Sequence, residues 1–354
     1  MLSPSVLAQS SAQLPRSTVE AISISASQRT QIDSFVSVWS ERALSDKAQD
    51  SKRAMEALTK PLHGRGVSVA FRQSYTQAIM GLMNDLDTQG SIGATLSSLR
   101  IAGELATPTG VSRIKASMSN EDLGVQIFAV SRAGQVFSST SKNSPAITST
   151  DANELINAID SLSTAQGVNH ELLGACVRAL SIATALPSKD MGDARSNAIV
   201  ALANAVGPHL RGLSVSDDPS FAQGLALQAA SAATASIADI SSDTNLDATK
   251  AAVGLGGDII SIALRRVLGN TIEPVSDRGL TVRSVQAGET LLYFALRKDA
   301  ELRNKSANAV RETGFSDQLA AGDDKAFRND ASRLLGPGSK IVKDFDFADE
   351  RFLR

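Results

Sequence analysis

One cysteine, three histidines, one tryptophan and two tyrosines are spread through 354 residues. The lone Cys176 excludes an intrachain disulfide, and such cysteine usage fits a reducing compartment. It lies in Leu172-Leu-Gly-Ala-Cys-Val-Arg-Ala-Leu180, an apolar helical stretch that reads as holding an inert core thiol. His63, His170 and His209 stand far apart in sequence. None has a metal-type partner three or four residues on, so no zinc site is expected. No Gly-x-Ser-x-Gly elbow surrounds any serine. Gly254-Leu-Gly-Gly257 lacks the Gly-Lys-Ser/Thr ending and the preceding strand of a phosphate loop, and it reads as a place of close helix contact. Asp323-Asp324 lacks the alternating ligands of a calcium loop and reads as a loop or helix start. The most apolar window, 251–268, is broken by Asp258 and Arg265-Arg266, which makes it a buried helix and excludes a membrane span there. The first residues lack the basic and long apolar regions of a secretory signal, so none is expected. With no catalytic motif and no cofactor expected, the chain reads as a non-enzyme.

Charge is also scarce, at 20% of residues with a formal net of −2, and aromatics make up 4%. The total balance demands neither nucleic acid nor membrane, although a balanced total can conceal a basic cleft. What is abundant is Ala, Ser and Leu within a 42% hydrophobic chain. That is enough for a large core, and it favours close-packed helices over sheets.

The expected fold is mainly α: two helical lobes with one small β-hairpin and extended N- and C-terminal arms. Residues 1–28, Ser-rich and almost uncharged, form the N-terminal arm. A helical lobe follows over 29–148. Within it Ser68 caps a helix whose inner stripe is Phe71, Tyr75, Ile79, Leu82, Met83 and Leu86. Two short β-rich runs about Ser131-Arg-Ala-Gly134 predict a hairpin over 125–138. An Ala-rich helical lobe over 149–338 is punctuated by Asp151, Asn169, Asp218-Pro219 and Gly269-Asn270. The tail, 339–354, carries three of the eleven phenylalanines, Phe345, Phe347 and Phe352. Each ring gains about 1.5–3 kcal/mol on leaving water, so a surface on this molecule or on a neighbour must bury them.

Basic residues are the polar feature with reach. Lys52, Arg53, Arg65 and Arg72 belong to one set, Arg265 and Arg266 to a second, Arg297 and Lys298 to a third. Acidic neighbours interleave with the first and third sets, and each set alone reads as a solvated face. Together they suit convergence on phosphates. Tyr75 offers a ring near Arg72, although its helical phase places it in the core.

Arm 1–28, these basic positions and tail 339–354 give the chain a layout that resembles the nucleoproteins of negative-strand RNA viruses. The resemblance is architectural and rests on no motif. It implies a self-assembling structural protein that polymerises through exchanged arms, as a ring or filament of identical copies, and encapsidates single-stranded RNA in a basic cleft. It implies no membrane partner, and residence in a host cytoplasm or virion. Phe345, Phe347 and Phe352, with Leu2, Val6 and Leu7 of the arm, are the expected oligomerisation residues. The alternatives are a helical scaffold or virion protein that binds no nucleic acid, and an enzyme whose site is assembled only by the fold.

Overall fold

A computed structural model describes residues 13–45, 47–239, 243–271 and 278–353. Among these residues every regular element is a helix. The chain divides into two compact units, 1–158 and 159–354.

The first unit contains α1 (Arg16–Val19), α2 (Ala26–Ala43), α3 (Ala48–Thr59), a 3₁₀ turn over Lys60–Leu62, α4 (Val69–Thr88), α5 (Ile92–Leu105), α6 (Pro108–Ser117) and α7 (Leu123–Lys142). Helix α8 (Ser149–Ser163) runs across the division. Local chemistry starts these helices where they start. Ser25 and Gln28 form a reciprocal capping box at α2, and the Ser68 hydroxyl accepts from the Phe71 amide at 3.0 Å. All six expected stripe residues of α4 are buried. Tyr75 is in contact with Phe71, ring centroids 5.2 Å apart, and donates to the Leu58 carbonyl at 2.8 Å. Burial raises the Tyr75 pKa, which keeps the phenol neutral.

The second unit contains α9 (His170–Ala183), α10 (Ser188–Gly212), α11 (Ser220–Ala238), α12 (Leu246–Leu268), α13 (Gly279–Leu302), α14 (Phe315–Ala320), α15 (Asp324–Leu335) and α16 (Lys340–Asp344). Helix α12 is its centre and packs on α10, α13 and α15. Small residues permit the approach: a Cβ on Gly256 would stand 2.9 Å from the Gly288 carbonyl of α13. Cys176 is buried in α9, and burial pushes its thiol pKa up to about 12.

The structure corrects three expectations. Residues 125–138 form no hairpin; they lie inside α7. Asp122 caps that helix, accepting from Val125 N at 2.9 Å. Its buried residues Val125, Ala129, Val130, Ala133, Val136 and Phe137 recur at helical spacing. Packing on α5 and α6 overrides the β preference of the valines and Phe137, and Ser131–Gly134 continues the helix. The N-terminal arm is not extended over its described part. Residues 16–19 are helical, and the Ser68 amide donates to the Val19 carbonyl at 3.1 Å, tying α1 to the start of α4. The C-terminal tail is not an extended arm either: it forms α16 and then turns back, with Asp346 at φ 50°.

Candidate functional site

Sequence-distant polar groups meet at several places among the described residues; one such place in each unit lies beside a cavity that carries cations. In the first unit, α1, α2, α3 and the loop after the 3₁₀ turn enclose a cavity of about 750 Å³. Leu14, Val19, Phe35, Trp39 and Val67 supply its apolar wall, and Arg16, Arg53, Lys60 and Arg65 its cations, against Glu20 and Glu56. Arg16 is engaged with Glu20 at 2.6 Å, whereas Arg53, Lys60 and Arg65 are exposed. Trp39 is the chain's single tryptophan, and the Arg42 guanidinium stacks 4.9 Å from its ring centroid. Its indole Nε1 is buried without a hydrogen-bond partner among the described residues. An unpaired buried donor costs about 1–3 kcal/mol. His63 also lines the cavity, and its Nε2 lies 3.4 Å from Glu104.

Arg72, expected among the RNA contacts, lies behind this region at 1% exposure. Its Nη1 donates to the carbonyls of Glu104 and Leu105, both at 2.7 Å, at the C-terminal end of α5, where Ala106 turns to φ 48°. Burial lowers its pKa to about 10, with Glu104 opposing the shift. The guanidinium therefore closes a helix end and has no surface to offer. Lys52 is exposed on α3.

In the second unit the expected RNA contacts are engaged locally. Arg265 donates to the carbonyls of Leu210, Arg211 and Leu213 at 2.8, 3.3 and 3.0 Å, at the end of α10. Burial lowers its pKa, while Asp258 opposes the shift. Arg266 donates to the Asp217 and Thr271 carbonyls, both at 3.3 Å. Arg297 donates to the Tyr293 hydroxyl at 2.8 Å, and Lys298 is half-buried on the same helix α13.

The tail residues converge on α12. Phe345 and Phe352 are buried within their own unit, and Phe347 is half-buried. Phe347 stacks on Phe345 at 5.9 Å and meets Phe352 edge-on at 5.6 Å. The Phe352 ring occupies a notch that exists because residue 257 lacks a side chain, since a Cβ there would stand 2.5 Å from the ring. Ser261 Oγ donates to the Phe352 carbonyl. Arg351 fits over Gly254, where a Cβ would meet its Nη2 at 2.7 Å. The Gly254–Gly257 run therefore serves helix contact at Gly256 and tail docking at Gly254 and Gly257.

Beneath the tail, Asp258 is a carboxylate with no exposed side-chain surface. Arg211 of α10 reaches its Oδ2 at 2.5 Å, and Arg351 of the tail reaches the same oxygen at 2.8 Å. Burial raises the Asp258 pKa, while Arg351 and Arg211 pull it down. Sequence inspection missed this centre because its members lie 47 and 93 residues from Asp258. The one available signal was an aspartate inside an otherwise apolar helical run, which demands a cationic partner somewhere.

His170 and His209 are not part of these centres. His170 stacks on Phe221 at 4.3 Å, and burial together with His170 lowers the pKa of His209. No group of three or more metal-type side chains occurs among the described residues. No helix among them is long and apolar enough to cross a membrane. Leu2, Val6 and Leu7 lie outside the described residues. Comparison with known proteins found no matching family model, no matching curated protein and no matching solved structure.

Proposed function

We propose that this chain is a self-assembling structural protein of the nucleoprotein or capsid kind, and that it holds single-stranded RNA at the cavity of its N-terminal unit. The supporting observation is the pairing, in that cavity, of Trp39 with the exposed cations Arg53, Lys60 and Arg65. Single-stranded nucleic acid needs such a pairing: an aromatic ring for a base and cations that follow the phosphates. Assembly is assigned to exchange of tails, because the contacts that seat Phe352 and Arg351 on α12 serve equally for the tail of a second copy.

Trp39 reports directly on the first half of this proposal, since no other tryptophan contributes to the fluorescence. Titration with oligouridylate should quench it. The log of affinity should fall with log salt at a slope near −2, as expected for about three phosphates neutralised on a single strand. Arg53→Glu with Arg65→Glu should flatten that slope. Unchanged fluorescence at low salt would exclude RNA from the cavity. For the second half, light scattering and electron micrographs should show particles that shrink when 339–354 are removed. A monomer at high concentration would refute assembly. The commitment of Arg72, Arg265 and Arg266 to backbone carbonyls favours a second reading, a scaffold without nucleic acid. That reading is preferred if particles form and no RNA binds.

A further inference from the structure

Among the described residues, two arginines are ion-paired with the one carboxylate of Asp258. One carboxylate faces Arg211 and Arg351, which share its Oδ2, and the Arg265 charge is close enough to act on it. Among the described residues the Arg211 guanidinium makes one hydrogen bond and that of Arg351 makes two, all to Asp258. Each guanidinium has five N–H donors. Donors therefore remain on both, and both groups are accessible, with 35% and 25% of their side chains exposed.

Cavities flank the two arginines. One of about 460 Å³ is lined by Arg211, Gly212, Arg265, Ala348, Arg351 and Phe352. The other, about 360 Å³, takes in Arg211, Arg351, Lys250 and Asn204, with Asp247 as its acid. Lys250 and Arg351 both lie over the Phe347 ring, at 5.8 and 4.6 Å, so the aromatic face holds cations beside the second cavity. A tail pinned only by an ion pair would need one arginine opposite Asp258.

We infer that Arg211 and Arg351, with Arg265 lining one cavity and Lys250 the other, form a binding site for a small oxyanion of the phosphate type, and that the bound anion fastens the C-terminal tail. Planar guanidinium forks match phosphate oxygens in pairs, which suits the two arginines that share the carboxylate. Coupling to the tail follows from composition of the site: Arg351 belongs to the tail, whereas Arg211 and Arg265 belong to α10 and α12. Whatever binds across them favours the docked tail, and a docked tail improves anion affinity by the same factor.

The experiment uses the full chain and inorganic phosphate, with chloride matched for ionic strength. At a phosphate concentration about 100 times Kd, the melting temperature should rise by about 4 °C. The ³¹P signal should broaden, and proteolysis within Gly336-Pro-Gly338 should slow. Arg211→Gln and Arg351→Gln should abolish all three effects. Gly257→Ala, which blocks the Phe352 notch, should also abolish them with Arg211 and Arg265 intact. Lys325→Gln, an exposed change elsewhere, should retain them. The ³¹P line requires no stability change, so it still reads out if a variant melts early. An oligouridylate arm separates the sources: competition for the ³¹P signal identifies a phosphodiester, and its absence a free phosphate. An equal response of wild type, Arg211→Gln and Arg351→Gln, or no response in any of them, would overturn the assignment. The result is independent of Trp39 quenching, which reports on the other unit.

Discussion

Arg72 in the first unit and Asp258 of the Arg211–Asp258–Arg351 group in the second are both buried charges, yet they are met differently. Arg72 is answered by carbonyls at a helix end, held by the continuous backbone of α5. Asp258 is answered by side chains, one of them on a tail that follows Gly336-Pro-Gly338. A carbonyl cannot leave without melting its helix. A tail can leave and take its arginine with it. The first centre therefore locks a helix end, and the second fastens the tail to α12.

The sharpest test of this contrast is Arg72→Met. It should destabilise the chain by about 3–5 kcal/mol, because buried carbonyls lose their donor. Denaturant unfolding reads this directly, and a loss below about 1 kcal/mol would erase the distinction. Phe352→Ala should cost about 3 kcal/mol where the ring is anchored, but most of that loss should appear as local release. The expected pattern is faster cleavage near Gly338 with far-UV circular dichroism almost unchanged. Global unfolding at the same rate as cleavage would make the tail part of the cooperative core. Tyr75→Phe should cost only about 1 kcal/mol, since it removes one neutral hydrogen bond and keeps the ring in place. The smallest expected effect concerns Cys176. Its buried, high-pKa thiol should resist alkylation at pH 8 in the native chain and react only on unfolding. Rapid native labelling, counted by mass spectrometry, would show that α9 opens locally.

Features carried by local spacing are legible in the amino-acid order alone. Ser68 and Asn169 cap their helices, Gly269-Asn270 ends α12 with Asn270 at φ 52°, and the α4 stripe is buried. These depend on residues within one or two turns. At α8 the box sits one turn earlier than the Asp151–Glu154 spacing suggests, since Thr148 and Asp151 exchange hydrogen bonds. The expected hairpin marks the limit of such reading. Val125 to Phe137 has both β-rich composition and helical spacing, and neighbours decide between them. The candidate sites are legible only in part. Arg53 and Arg65 stand out by their charge, but nothing in sequence places Trp39 beside them. Phe345 and Phe352 do leave water, and the surface that buries them in this structure belongs to their own unit.

By itself, the sequence determined the mainly helical class, several helix ends, the buried thiol and the demand for burial at the tail. Each follows from short-range periodicity, capping or transfer of apolar surface from water. Only the tertiary structure decided which arginines are consumed by carbonyls and which surround Asp258. Desolvation and pairing depend on residues up to 93 positions apart, and no local rule brings those together.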